Sequence, residues 1–203
     1  MRGDLVTMQD HYYIQFPVLI FVYCLFYRWS KSVSDEMSLL CEENGVNTFN
    51  VFTAFKDLYQ LNDSELYDVF ERCKDLGALT SVHAENGDII SKNEEKLKAK
   101  GVTGPEGHDQ SRPAEVEAEA VNRSCVIANQ AEAAVYITKV TSKLAADQIA
   151  SAKRRGVKVF GETTVGSIGC NAPSAPSVYT LTSPPLRLKD PENSKLLLKH
   201  LAL

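Results

Sequence analysis

The sequence of 203 residues has no strong excess of charge of either sign and few cysteines. Lys and Arg number 22 against 26 Asp and Glu, for a net charge of −4, so no basic surface for nucleic acid is indicated. The five cysteines are scattered, odd in number and without a CxxC pair. This pattern argues against a disulfide framework or a zinc site and favours reduced, mostly buried thiols in a cytoplasmic protein.

The sequence also lacks an apolar run long enough to cross a membrane. Its most apolar stretch, residues 16–27 (FPVLIFVYCLFY), falls short of the roughly 20 residues that a spanning helix needs. Neither a basic cluster before it nor a small-residue cleavage pattern after it marks a signal peptide. Three interpretations stay open: a segment foreign to the fold, a buried strand or helix, or a membrane-directing segment.

We therefore divide the chain into a divergent hydrophobic N-terminal segment, residues 1–29, and a single folded domain, residues 30–203. The run does not match the regular pattern that follows it. We expect the residues before about Ser30 to pack poorly or to extend away from the body.

Beyond residue 30, helix and strand patterns alternate. Asn62 and Glu65 have the spacing of a capping box at the start of one helix. Ser34 can cap the preceding helix, and Gly45 and Gly77 are typical of the positions where helices end. The predicted helices cover residues 34–43, 62–76, 89–98, 111–131 and 142–155, with a short one from 193; the predicted strands cover 47–55, 78–84, 134–139 and 157–161. The Gly-rich and Pro-rich residues 101–110 are predicted to be a loop.

This alternation predicts parallel strands with helical crossovers, closed either as an open doubly wound sheet or as a (β/α)₈ barrel. A whole barrel needs about 250 residues, and no GxGxxG follows a strand to mark a dinucleotide site. In both folds, functional residues gather at the carboxyl ends of the strands. Those ends carry residues 55–57, 83–86, 139 and 161–163.

Four segments in this region resemble the dihydropyrimidinase family, most of all its non-enzymatic branch, the dihydropyrimidinase-related or collapsin response mediator proteins. They are GVNTFNVFTAFKDLYQLNDSELY, GALTSVHAENGDII, GVTGPEGHDQSRPAEVEAEAVNR and VYITKVTSKLAADQIASAKRRG. The resemblance runs from about Trp29 to Leu203. It implies a partial (β/α)₈ TIM-type barrel of the amidohydrolase kind, without the early strands that carry a His-x-His metal motif.

The same resemblance indicates which positions would carry chemistry. In the enzymes, a carboxylated Lys that bridges two zinc ions stands where this chain has Asn50, and a substrate-contacting Tyr stands where it has Phe55. His83 matches a zinc-ligating His, but Lys139 replaces another. Asn50, His83 and Lys139 are thus interpreted as vestigial metal positions near the same strand ends, Phe55 as a remnant of the substrate pocket, and no residue as catalytic or metal-binding.

The function implied is that of a pseudoenzyme: a cytoplasmic scaffold in neuronal signalling and cytoskeletal regulation. It would need no cofactor, although the enzymatic branch uses zinc. Its expected partners are family members, in homo- or hetero-oligomers, and tubulin or other cytoskeletal proteins, but neither nucleic acid nor membrane. Two alternatives stay open: a cyclic-amide hydrolase acting on dihydropyrimidines, and a truncated product without independent function.

Other polar residues have plainer interpretations. The alternating Glu115, Glu117 and Glu119 are expected on a solvated helix face. The basic residues 153–155 could form an anion or partner site, but their place before Gly156 favours a helix end. Lys139 could pair with Glu85 or Glu162, while Lys56 and Asp57 are expected to make loop contacts and Glu85 and Asn86 to lead into a helix.

Overall fold

The computed structural model describes residues 5–6, 23–26, 28–169 and 182–201. The strands are β1 Leu5–Val6, β2 Tyr23–Phe26, β3 Thr48–Phe52, β4 Leu79–His83, β5 Val135–Val140 and β6 Val159–Thr163. The helices are α1 Lys31–Asn44, α2 Asp63–Asp75, α3 Gly87–Ala99, α4 Glu106–Ser111, α5 Ala114–Gln130, α6 Lys143–Arg154, α7 Val165–Gly169 and α8 Pro191–Leu201.

The strands form one sheet in the order β1 to β6, and from β2 onward each strand runs parallel to its neighbour. Phe49, Val51, Val82, Val135 and Ile137 on one face are almost fully buried. They share a core with apolar residues of α1, α2, α5, α6 and α8, so these helices cover that face. The predicted parallel α/β arrangement is therefore confirmed.

The sheet includes part of the N-terminal apolar run. Strand β2 lies between β1 and β3, with Tyr23 opposite Thr48 and Leu25 opposite Asn50. The expectation that residues before Ser30 extend away from the body is thus wrong for β2. Its aromatic and apolar residues favour a strand, and its backbone supplies hydrogen bonds to an otherwise open edge of β3. Residues 16–22 and 27 of the run lie outside the described residues.

Local capping fixes the helix ends. The side chain of Asn62 accepts a hydrogen bond from the Glu65 amide at 3.0 Å, and Glu65 accepts one from the Asn62 amide at 2.9 Å, so the predicted capping box is confirmed. Gly45 ends α1 with φ +66°, as predicted. The cap of α1 is Ser30 rather than Ser34, because Ser30 Oγ accepts from the Val33 amide and the helix begins a turn earlier.

The remaining predicted elements are present, but α7 was not predicted and one connection differs. The stretch predicted as a loop, residues 101–110, includes most of α4, whose own turn places Ser111 against the carbonyl of His108. Pro113 occupies the cap position of α5, where a missing amide hydrogen costs nothing. None of the helices in the described ranges is long and apolar enough to cross a membrane.

The cysteines with described side chains are free thiols. Cys73 and Cys125 are buried and Cys41 is half-buried. Burial raises the pKa of Cys73 to about 12 and that of Cys125 to about 11, so both stay protonated near neutral pH. The side chains of Cys24 and Cys170 lie outside the described residues.

Candidate functional site

The carboxyl ends of β3, β4 and β5 lie side by side. Phe52 is opposite His83, and His83 is opposite Thr138. Asn50 is opposite Ser81, two positions before Phe52 and His83. Since alternate residues of a strand point to the same side, these residues share the sheet face opposite the helical core.

His83 and Glu85 form a buried pair at the end of β4. The Nε2 atom of His83 lies 3.0 Å from Oε2 of Glu85, and the two residues are only 3% and 1% exposed. The Ser183 hydroxyl also donates to Oε2 of Glu85, and Nε of Arg112 lies 4.0 Å from Oε1. Nε2 of His83, the histidine that matches the zinc ligand of the enzymes, thus faces a carboxylate.

The charge state of Glu85 follows from opposing effects. Burial acts to raise the pKa of the carboxyl group. The hydrogen bond and charge of His83, the hydrogen bond from Ser183 and the charge of Arg112 act against burial, and the net pKa of Glu85 lies below its ordinary value. Glu85 is therefore an ionised hydrogen-bond acceptor at neutral pH.

Phe55 closes over this pair. Its ring stacks on His83 with centroids 5.4 Å apart and an interplanar angle of 27°, and it meets Phe52 edge-on at 5.5 Å. The backbone at Phe55 has φ +61°, in the left-handed region that aromatic residues rarely adopt. An apolar ring, without a hydrogen-bond donor, thus lies against the imidazole.

Lys139 occupies a β-bulge next to Thr138. The register between β5 and β6 shifts between Ile137 and Val140, and Lys139 has φ +53°. The ion pair considered between Lys139 and Glu85 or Glu162 does not form among the described residues. Glu85 is held by His83, Glu162 accepts from the Tyr136 hydroxyl at 3.0 Å, and the bulge leaves Lys139 exposed.

The donor set does not suit the zinc centre implied by the family resemblance. Zinc prefers imidazole, thiolate or carboxylate ligands. Here the strand ends offer the amide of Asn50, whose buried Oδ1 has no hydrogen-bond partner, the paired imidazole of His83, and the cation of Lys139. Within the described ranges, no group of three or more His, Cys, Asp or Glu side chains is placed to hold a metal ion.

The loop after β3 is tied to the start of α3. Nζ of Lys56 lies 2.8 Å from Oδ1 of Asp88, and Gln60 donates to the other carboxylate oxygen at 2.8 Å. Asn86 caps α3 by accepting from the Ile89 amide, so the predicted structural role of Asn86 is confirmed. These contacts hold the loop that carries Phe55 against the strand end.

Glu117 is not on a solvated face, as its sequence pattern suggested. It is 1% exposed and accepts hydrogen bonds from the Thr141 amide at 2.7 Å, the Thr141 hydroxyl at 3.0 Å and Arg187 at 3.2 Å. The correction has a simple cause: Glu117 lies on the same helical stripe as the buried Val121 and Ser124. Glu115 and Glu119 are exposed, as expected.

Sequence reasoning missed the segment that crosses these strand ends. Ser183, Arg112 and Arg187 reach Glu85 or Glu117 from far along the chain: Ser183 is 98 residues from Glu85, and Arg187 is 70 from Glu117. No local periodicity marks such contacts. The one sequence signal for these contacts is the helical spacing of Glu117, Val121 and Ser124, which places Glu117 on the buried side of α5.

Comparison with known proteins identifies two kinds of relative. The chain is 42% identical over 180 residues to the dihydropyrimidinase of Dictyostelium discoideum, covering 86% of this chain and 36% of that protein. It is 43% identical over 181 residues to human dihydropyrimidinase-related protein 5, covering 86% of this chain and 32% of that protein. The chain thus spans about a third of the length of these relatives. No family model matches.

Solved structures agree on the fold. A D-hydantoinase from a Bacillus species superimposes with a TM-score of 0.82 at 31% identity, over 88% of this chain and 40% of that one. A dihydropyrimidinase from Brevibacillus agri gives a TM-score of 0.81 at 31% identity, over 87% and 39% of the two chains. The predicted partial barrel of the amidohydrolase kind is therefore confirmed.

Proposed function

Because the chain belongs, over the region that it shares with those relatives, to the dihydropyrimidinase family, we propose that it is a non-catalytic member. The observation that carries this proposal is the donor set at the strand ends, where Asn50 and Lys139 accompany the single imidazole of His83. Nε2 of His83 faces the Glu85 carboxylate at 3.0 Å, which leaves Nδ1 as the ring nitrogen open to a metal, but Asn50 and Lys139 at the neighbouring strand positions are not zinc ligands.

Three residues support the proposal. Asn50 cannot form the carbamate that the family resemblance expects at its position. Phe55 lacks a hydroxyl, and a hydrogen-bond donor aimed at developing negative charge is typically worth about 10²–10³ in rate. Lys139 adds positive charge where a neutral imidazole would donate to a metal. Each residue removes a different part of the hydrolytic mechanism.

The competing function is hydrolysis of a cyclic amide. It is favoured by the name dihydropyrimidinase that the Dictyostelium and rat relatives carry, at 42% and 43% identity. The human relative at 43% identity is a dihydropyrimidinase-related protein, so overall identity favours neither function. The residues at the strand ends favour the non-catalytic one.

A ring-opening assay distinguishes the two. Purified protein with added zinc is mixed with dihydrouracil, and loss of the ring absorbance is followed beside a dihydropyrimidinase such as the rat relative. We expect no turnover above the buffer. Turnover that a chelator abolishes and that scales with protein concentration would favour the hydrolase instead.

We further propose a scaffold role in the cytoplasm, in homo- or hetero-oligomers with family members and in contact with tubulin or other cytoskeletal proteins. The family resemblance supports this role. Co-sedimentation with polymerised tubulin, with a heat-unfolded sample as control, tests the tubulin contact. Light scattering tests the oligomer. If the chain is a stable monomer and does not sediment with tubulin, both contacts are contradicted and a truncated product is favoured.

A further inference from the structure

A groove of about 250 Å³ lies beside α6 and α8 and reaches the ends of β5 and β6, but does not include Asn50, Phe55, His83 or Lys139. It runs between α6, β6 and α8, and its apolar lining includes Ile149, Gly161 and Leu197. None of these residues belongs to the family-derived site positions. The groove is therefore a separate feature of the molecule.

Small residues give the groove its depth. Ala146 and Ala150 of α6 and Gly161 of β6 line it and leave the volume that larger side chains would fill. A Cβ atom at Gly161 would lie 2.7 Å from Cδ1 of Ile149, so a larger residue there would displace the isoleucine. A glycine inside a strand commonly marks such a close approach.

Cations border the groove on one side. Lys153 and Arg154, in the last turn of α6, both line it and are exposed. Among the residues that the structure describes, neither Lys153 nor Arg154 forms an ion pair within 4 Å, and Asp147 of the same helix pairs with His200 at 2.9 Å. Glu162 also lines the groove, and its carboxylate accepts a hydrogen bond from the Tyr136 hydroxyl at 3.0 Å. Two full positive charges also outweigh the roughly half negative charge of a helix carboxyl end.

We propose that this groove binds a monocarboxylate with an apolar chain of medium length. The carboxylate would lie against Lys153 and Arg154, because arginine and lysine form charge-assisted hydrogen bonds with such an anion. The chain would lie over Ile149 and Leu197, where its removal from water stabilises the complex. An apolar pocket with a few convergent polar groups is the usual form of a small-molecule site.

Titration calorimetry with matched probes tests the proposal on the full chain. Octanoate is compared with butanoate, 1-octanol and octylamine. We expect one octanoate per chain and about fourfold tighter binding for each methylene between butanoate and octanoate. Octanol should bind more weakly and octylamine weakest of all. Equal binding of octylamine and octanoate, or no octanoate heat up to about 10 mM, would overturn the proposal.

Variants identify the site. Lys153→Met with Arg154→Met should weaken octanoate at least about tenfold and leave octanol unchanged, because only the anion contact is lost. The matched control is Lys96→Met with Lys100→Met, two exposed lysines of the α3 region, which should bind like the original chain. Equal weakening in both pairs would show a general charge effect and contradict the proposal.

Ala150→Trp provides a steric test. Ala150 is half-buried and lines the groove, so the indole should fill it and abolish binding of octanoate and octanol alike. Circular dichroism confirms that each variant is folded. Sedimentation at the same concentrations tests whether a second copy of the chain occupies the groove instead. If the chain dimerises and the dimer does not bind octanoate, the proposal is wrong.

Discussion

Nε2 of His83 lies 3.0 Å from Oε2 of Glu85, and both side chains are almost fully buried. The ring of Phe55 stacks on the imidazole at a centroid distance of 5.4 Å. A carboxylate and an aromatic ring therefore occupy the surroundings of the histidine at which the family resemblance would place a metal.

The pH dependence of stability should report the ionised Glu85. Its folded pKa lies below the ordinary value of 4.5, so its contribution is complete above that value and is lost as the pH falls through the lower folded pKa. Urea unfolding between about pH 6 and pH 3 should therefore show a falling free energy of unfolding. Glu85→Gln should flatten the profile, whereas exposed Glu115→Gln should keep its slope; identical slopes in all three proteins would contradict this.

Glu117→Ala should destabilise the fold strongly. The change leaves the Thr141 amide and Arg187 without their buried carboxylate, and breaking a buried ion pair typically costs about 3–5 kcal/mol. Urea unfolding measures the free energy of unfolding. The control, Glu115→Ala on the exposed side of α5, should change it by less than about 0.5 kcal/mol. Similar small effects at both positions would mean that Glu117 is solvated after all.

Asn62→Ala should cost about 1 kcal/mol of stability, because it removes the acceptor for the Glu65 amide at the start of α2. Asn62→Asp should retain most of the stability, since aspartate caps a helix equally well. Thermal and urea unfolding of both variants check the effect. If alanine and aspartate are equally harmful, the cap is not what matters at this position.

Lys139→Gly should be more stable than Lys139→Ala by about 1 kcal/mol. The residue has φ +53°, is exposed and lies in a β-bulge, and the left-handed region costs roughly 1–2 kcal/mol for residues other than glycine. The same exchange at exposed Lys153, inside α6, should have the opposite sign because glycine disfavours a helix. Urea unfolding of the glycine and alanine variants at both positions measures the difference. If glycine and alanine differ in the same direction at Lys139 and Lys153, the bulge conformation is not the cause.

Local signals predicted the local structure. The capping box at Asn62, the end of α1 at Gly45 and the buried face of α2 all depend on residues within a few positions of one another. The cap at Ser30 was missed because Ser30 and Ser34 offer the same chemistry, and only packing of Val33 into the core distinguishes them.

Long-range features could not be predicted in the same way. Pairing of β2 with β3 depends on backbone groups that no side-chain pattern marks. Burial of Glu117 required a distant donor, Arg187, that only the fold brings near. For the strand ends, the family resemblance named the positions, but the contact between His83 and Glu85 came from the structure.

The metal content of the purified chain tests the central claim most directly. The protein and a His83→Ala variant are dialysed against zinc, and unbound zinc is then removed. The zinc that remains bound is measured per chain. Because Asn50 and Lys139 leave His83 as a single imidazole at these positions, both proteins should hold far less than one zinc ion per chain and show no difference. About two zinc ions per chain in the original protein, removed by a chelator and lost in His83→Ala, would contradict the account.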